Sequence, residues 1–424
     1  MHVCVLGAGV VGITSAYHLM KEGHRVTLVD ANEPGSGASF GNGAQLSYSY
    51  VAPLAEPSVW TKWPSYLFSS DSPLTLRLQA DSAQWRWLAG FLAASTRERA
   101  RRTTVELLRL AFLSRDELAR LRRAEPIDFL HRVAGKLVMF SDPAALASAR
   151  AQVAFQARYG CRQQVLDAAG CMEIEPALAQ SSVRWAGGVH TADEEVGDCA
   201  LFCQALFERM RADADFRFVR GAVTGVHTRA QRLHAVQAGR EEIGADAFVL
   251  ALGAHSTAFA QMAGFRLPVY PLKGYSITVP LTADSAWAPS VSITDMSRKI
   301  VFARLGNRLR VAGRVELVGM DRSIPRRAID ELKAAVAADF PQCGLLDDAA
   351  LAPWTGFRPA TPTGLPIIGA SPVPNLYLNV GHGSLGWTLA CGSAAMLAAQ
   401  MNGRECAIDP RPYRFASGAT HVAA

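Results

Sequence analysis

The first thirty residues constrain the fold more tightly than any other part of the chain. HVCVL, residues 2–6, reads as a short buried strand. The turn Gly7-Ala8-Gly9-Val10-Val11-Gly12 follows. ITSAYHLMKEG then has helical periodicity, with Gly23 as its stop, and HRVTLVD is a second strand ending on Asp30. In a strand–turn–helix–strand unit each glycine has its own task. Gly7 permits the tight turn, Gly9 lets backbone approach a pyrophosphate, and Gly12 lets the helix lie close on the strand. The free N–H groups and positive dipole end at the helix start suit phosphate. Asp30, with Ala31 beside it, is placed to accept hydrogen bonds from a ribose diol, which disfavours a 2′-phosphate. The spacing predicts a Rossmann-like dinucleotide domain and leaves FAD and NAD both open.

A chain of 424 residues exceeds one compact core, so a second domain is expected. Half the residues are hydrophobic, an ordinary globular balance. The net charge of +6 comes from scattered basic clusters with no interleaved aromatics, so no nucleic-acid partner is expected. The eight cysteines form no CxxC pair and no zinc spacing. They read as reduced, packed thiols of a cytoplasmic protein, and no metal is expected. Residues 1–20 lack the basic start of a signal peptide. The apolar run near the C-terminus is broken by prolines and polar residues, so no membrane-spanning helix is expected.

GSGASFGNGAQLSYSYVAP, residues 35–53, is small, Gly/Ser-rich and uncharged. It reads as a loop able to wrap a large cofactor, or else as a flexible linker. A strand around Val223, a hairpin-like pair and the buried strand FVLAL, leading to Gly253, follow further on. A buried strand ending in glycine suits backbone that comes near a cofactor.

These stretches, together with VYPLKGYSITVP, WTGFRPATPTGLPIIG and NLYLNVGHGSLGWTLACG, run in one order along almost the whole chain. The sequence resembles the FAD-dependent amine and amino-acid oxidoreductases of the D-amino-acid oxidase and glycine oxidase type, and within them the bacterial D-amino acid dehydrogenases. Departures occur at Asn42-Gly43-Ala44, at Thr361-Pro362-Thr363-Gly364 and at Ser47-Tyr48-Ser49-Tyr50, the last where the resemblance puts an active-site wall. The resemblance implies an α/β Rossmann-like FAD domain of residues 1–90, 186–265 and 350–424. It is interleaved with an α+β, mixed-sheet substrate domain of residues 91–185 and 266–349. It implies a cofactor shell that adds Ser39, Asn42, Gly43, Ala44, Gln45, Gly381, Gly383, Leu385, Gly386, Trp387 and Thr388 to the residues already named.

From Gly356 to Gly403 the only charged residue is Arg358. A planar guanidinium suits a substrate carboxylate, and by resemblance Arg358 is that group. Tyr275 and Tyr50 are implied as pocket closers that bond the carboxylate. His382 reads either as a flavin contact or as a packed core histidine. The helix beginning near Thr388 can aim its positive end at the flavin pyrimidine. The implied reaction is oxidative deamination of free D-amino acids by hydride transfer from Cα to flavin N5, with electrons passed to a quinone. Rivals are a dehydrogenase of a cyclic imino acid such as a hydroxy-D-proline, an oxygen-reducing oxidase, and a non-catalytic FAD-binding subunit. Trp60, Trp63, Trp85 and Trp87, near Arg97–Arg102, suit peripheral contact with the inner membrane, or else ordinary helix packing.

Overall fold

A computed structural model of the chain describes residues 1–60, 74–281, 287–344 and 346–416. Strand β1 (His2–Leu6) lies inside a six-stranded sheet, parallel to β2 (Arg25–Asp30) on one side and to Ala247–Leu250 on the other. The sheet order is Phe216–Arg220, β2, β1, Ala247–Leu250, Leu376–Val380 and Ile367–Ala370, with only the last strand antiparallel to its neighbour. Parallel strands need crossovers and cover on both faces. Alternation along β1 meets that need. Val3 and Val5 enter a helical layer, while Cys4 and Leu6 pack under a three-stranded antiparallel sheet of Val223–Arg229, Arg232–Ala238 and Glu241–Gly244.

The helical layer comprises α1 (Val10–Lys21), the helix Arg97–Ala124 and the C-terminal helix Gly386–Met401. Arg97–Ala124 starts on Thr96, whose hydroxyl accepts from Arg99 N. It carries Glu98 in its first turn and Arg122 and Arg123 in its last. Its stripe of Leu107, Leu110, Ala111, Leu118 and Leu121 enters the same core as β1. A Cβ on Gly392 would sit 2.7 Å from Ser114 N, so the two helices touch backbone to backbone. The Gly386–Met401 helix is enclosed on nearly every side. That placement accounts for its lack of charge: a buried ion without a partner is costly, and small residues permit the close approach.

A nine-stranded sheet forms the second layer. Its order is Trp354–Ala360, Tyr270–Pro280, Arg308–Leu317, Ile300–Leu305, Ser292–Asp295, Lys136–Phe140, Gly187–Thr191 and Gln164–Asp167, with Leu74–Leu76 also paired to Arg308–Leu317. One face is covered by the helix Arg326–Asp339, whose Leu332, Ala335 and Val336 share a core with Tyr275, Ile277 and Val279. The partition differs from the expected boundaries. Gly187–Thr191 and Trp354–Ala360 belong to the second sheet, whereas Arg97–Ala124 packs in the first unit. Sheet pairing sets the first two placements, and the apolar stripe sets the third.

Candidate active site

Three glycine-bearing loops leave the same edge of the parallel sheet: Gly7 after β1, Gly253 after Ala247–Leu250, and Gly381 after Leu376–Val380. All three have left-handed φ, at 108°, 56° and 83°. A Cβ on Gly7 would lie 2.8 Å from the Ala251 carbonyl carbon, and one on Gly12 would run into the Gly7 carbonyl. Only glycine fits either place. Next to Gly9 the nearest atom to an added Cβ is Ser39 Oγ at 3.6 Å, and beside Gly253 and Gly383 nothing lies within 4 Å. Backbone there is open to a close-lying group.

Two helix N-termini share this edge. Thr14, in the second turn of α1, donates its hydroxyl to the Ala390 carbonyl at 3.2 Å, in the second turn of Gly386–Met401. The two helices therefore start side by side. Neither has an acid in its first turn, and neither Gly9 nor Leu385 caps with a side chain. Such ends favour anions. Ser39 Oγ accepts from Val10 N at 3.0 Å, holding the loop of residues 35–53 against the first helix end. Thr388 Oγ1 accepts from Ser47 N at 3.2 Å, holding it against the second. Asp30 stands at the end of β2 with Oδ2 accepting from Ala8 N at 2.7 Å and Oδ1 from Asn32 N at 2.9 Å. Gly221 N bonds the Asp30 carbonyl at 2.8 Å, which brings the start of Val223–Arg229 beside it, with exposed Ala31 nearby. The tight turn, open glycine faces and paired helix ends fit FAD, and the residues of the α1 turn and of the Gly386–Met401 start would hold it.

The same loop is clamped from the second sheet. Arg310 donates Nη1 to the carbonyls of Phe40 and Asn42 at 3.1 and 3.0 Å, and Nε to Thr278 Oγ1 at 3.0 Å. Asn42 Oδ1 accepts from Ala44 N at 2.9 Å, and Ala44 takes φ 57°. Gly43 faces Val301, whose Cγ2 would be 2.9 Å from a Cβ there. Gln45 donates to the Ile293 carbonyl at 3.2 Å and accepts from Lys136 Nζ. Lys136, fully buried, also donates to Ser47 Oγ at 3.1 Å and lies 4.9 Å from the Tyr50 ring. Glu194, equally buried, accepts from Tyr48 N at 2.6 Å and Ser49 N at 2.7 Å. Burial pushes the Lys136 ammonium down and the Glu194 carboxyl up, and their mutual attraction opposes both shifts.

Arg358 lies on the edge strand Trp354–Ala360, paired with Leu272. Trp354, Gly356 and Arg358 share one face by the two-residue period. The Trp354 indole covers Gly356 and also Gly41 of the loop of residues 35–53, since a Cβ on either would overlap it. The Arg358 guanidinium lies flat over Gly274 of the neighbouring strand, where a Cβ would collide with it. Its Nη1 donates to the Arg314 carbonyl at 3.0 Å and the Lys273 carbonyl at 3.4 Å. Among the described residues it forms no ion pair, and burial holds its pKa down at about 10. An arginine aligned with an indole on the sheet face that receives the loop of residues 35–53 suits a planar anion.

The four side chains expected around the substrate are not gathered together. Tyr275 alternates to the opposite face of the sheet. There its hydroxyl donates to Glu316 at 2.6 Å under the helix Arg326–Asp339, and it cannot close a pocket over Arg358. Lys273 shares that face, with Nζ 3.3 Å from Asp321. Tyr50 lies among Val138, Phe140 and Val189 and donates to Met296 Sδ at 2.7 Å, beside Lys136. His382 is buried, bonds Ser393 Oγ at 3.1 Å and is held neutral by burial, which drops its pKa to about 3. It is a core histidine that ties the Gly381–Gly383 loop to the C-terminal helix. Trp387 turns inward too: its N–H bonds the Gly197 carbonyl at 3.2 Å and its ring lies 4.7 Å from Phe202, so only its backbone faces the helix end. Leu385 precedes that end and remains half-buried. Sequence reasoning missed Trp354, Gly274, Arg310, Lys136 and Glu194. The alternation Trp-x-Gly-x-Arg was the one visible signal. The others meet the loop only through sheet pairing.

Residues 2–400 match the family model described as FAD dependent oxidoreductase. The chain is 48% identical over 425 residues to D-amino acid dehydrogenase 2 of Ralstonia nicotianae, covering 98% of this chain and 100% of that protein. It is 47% identical over 410 residues to D-amino acid dehydrogenase 2 of Pseudomonas aeruginosa, covering 96% of each. Among solved structures it is similar to glycine oxidase from Geobacillus kaustophilus, with a TM-score of 0.76 and 22% identity over 99% of both chains. L-Proline dehydrogenase from P. horikoshii gives 0.75 at 15% identity, over 98% of this chain and 96% of that one. With its glycine cradle, paired helix ends and near full-length relatives, the chain belongs to the family of FAD-dependent oxidoreductases.

Proposed function

We propose that this chain oxidatively deaminates free D-amino acids, with Arg358 holding the substrate carboxylate. The observation that carries the reading is the Arg358 guanidinium: half-buried, without an acidic partner among the described residues, and fixed by two backbone carbonyls on the face that meets the cofactor loop. The names of its relatives, D-amino acid dehydrogenases, supply the substrate class. Bound FAD supplies the acceptor for the hydride leaving the substrate Cα, and water hydrolyses the resulting imino acid to a 2-oxo acid and ammonia. Arg358 binds the carboxylate through two parallel N–H···O bonds, which fixes the direction of Cα–H. Trp354 walls the same face and keeps water from the guanidinium.

The test is an anaerobic titration of the flavin spectrum with D- and L-amino acids, including proline and hydroxyproline epimers. Bleaching by ordinary D-amino acids supports the reading; bleaching by a hydroxyproline epimer alone moves it to a cyclic imino acid. Arg358→Ala is expected to raise KM about 100-fold or more, the scale of truncating one partner of a desolvated charge pair. An unchanged KM would sink the role assigned to Arg358.

We further propose that electrons pass to a membrane quinone, with peripheral contact through the segment around Trp60 and Trp85. These indoles are 57% and 51% exposed, while their N–H groups are satisfied by the Ser95 carbonyl at 3.1 Å and the Gln79 carbonyl at 3.0 Å. Trp87 leaves the set, since it is buried and bonded to the Ala360 carbonyl at 2.7 Å. Trp63 lies outside the described residues. Among the described residues no helix is long and apolar enough to cross a membrane. Co-sedimentation with anionic vesicles should weaken in the variant Trp60→Ser/Trp85→Ser; equal binding by both proteins would overturn the contact.

A further inference from the structure

The strands Tyr270–Pro280 and Arg308–Leu317 pair regularly from Pro280↔Arg308 to Tyr275↔Gly313, and then the register slips to Lys273↔Glu316. Arg314 and Val315 thus oppose the single residue Gly274. This is a β-bulge, and its first residue, Arg314, has φ 56°. A long side chain seldom adopts that conformation, which crowds Cβ against the backbone. Something must hold it.

Three neighbours do. Arg314 Nη1 is paired with Glu331 of the helix Arg326–Asp339. Its Nη2 lies 3.4 Å from Glu316 Oε1 and donates to Thr75 Oγ1 at 3.3 Å. The two acids are themselves fixed: Glu316 accepts the Tyr275 hydroxyl at 2.6 Å, and Glu331 accepts from Arg327 Nε at 2.9 Å. The bulge takes the Arg314 carbonyl out of the regular ladder, and that carbonyl accepts from Arg358 Nη1 at 3.0 Å. The residue opposite the bulge is the glycine over which the guanidinium lies.

We propose that Arg314 is a positioning residue for the substrate carboxylate. The ion pairs on one face of the sheet lock its left-handed backbone, so that its carbonyl fixes Arg358 on the other face. One Nη is thereby engaged by protein, leaving Nε and the second Nη for an incoming carboxylate. Tyr275, behind Glu316, supports this lock rather than touching substrate. The inference rests on the carboxylate role of Arg358.

The experiment compares KM, kcat and flavin content for the holoenzyme, using the D-amino acid that reduces the parent fastest. Arg314→Ala keeps a Cβ but loses the ion pairs, and should raise KM about tenfold with kcat and flavin content within about twofold of the parent. Arg314→Gly tolerates the bulge better and should raise KM less. In an Arg358→Ala background, Arg314→Ala should add less than about twofold, because the two act as a unit. Should Arg314→Ala not fold, Glu331→Gln carries the test, with a rise of about threefold expected. Parent KM in Arg314→Ala or Glu331→Gln, alongside a raised KM in Arg358→Ala, overturns the proposal and leaves the carboxylate reading intact. Equal losses of kcat and flavin overturn it as well, since they mark a general structural role. An unchanged KM in Arg358→Ala overturns both readings.

Discussion

The two halves of the site are built in opposite ways. The proposed phosphate cradle uses residues 7 to 30, nearly contiguous, and each is fixed by its own strand, turn or helix. The proposed carboxylate end uses Gly274, Arg314, Trp354 and Arg358 from three strands, with the loop at Gly41 brought in from the first unit. A contiguous motif carries its geometry in its spacing. A site made by strand pairing carries it in register, where a one-residue slip reverses the face of every side chain. Tyr275 shows the consequence: one position beyond Gly274, it faces away from the guanidinium that lies on its neighbour.

Substitution in the cradle should have the largest effect. Gly12→Ala drives a Cβ into the Gly7 carbonyl, inside a strand–helix contact with no room to yield. Loss of bound flavin, read as visible absorbance per protein, is expected; a fully yellow variant would break the claim that spacing alone fixes this half. Glu194→Gln probes the contact between halves. It exchanges a carboxylate that accepts two backbone N–H bonds for an amide that offers one oxygen and an opposing donor. The expected loss is about 2 kcal/mol in urea unfolding, and parent stability would mean that the loop of residues 35–53 holds its own shape. Gly274→Ala displaces the Arg358 guanidinium at the assembled end. KM should rise about tenfold, worth about 1.4 kcal/mol, with flavin retained; flavin loss instead would show that the two ends are not separable.

The smallest effect concerns pH. His382 is buried and His18 half-buried, and desolvation lowers their pKa values to about 3 and about 4. Between those values and the ordinary 6.5 the unfolded chain binds protons that the folded chain refuses. The stability each histidine contributes is therefore full above pH 6.5 and falls as pH drops toward 4, by at most about 1.4 kcal/mol per pH unit, while the raised Glu194 carboxyl acts in the opposite sense. His382→Asn should flatten the slope of the unfolding midpoint over pH 6.5 to 4. An unaltered slope would place the acid sensitivity elsewhere.

Much of the first half was legible in the sequence because its restraints are local. The glycine turn, α1, its stop at Gly23, the strand ending on Asp30 and the hairpin before Ala247–Leu250 all stand where periodicity and turn chemistry put them. Arg358 could be singled out because an isolated guanidinium in an uncharged run is conspicuous. Its setting could not. The chain's order says nothing of Arg310 reaching the carbonyls of Phe40 and Asn42, or of Lys136 reaching Gln45 and Ser47. The uncharged composition of the C-terminal helix suits a flavin neighbour, and it follows equally from backbone contact with Ser114.

The sequence by itself determined the glycine turn and singled out Arg358, the arginine proposed to bind the carboxylate, because a turn that only glycine can make and a charge without a local partner are properties of short stretches. Tertiary structure decided which residues share a face with that arginine and which lie behind it. Strand register and the bulge at Arg314 are set by pairing among residues dozens to hundreds of positions apart, and no local propensity encodes them.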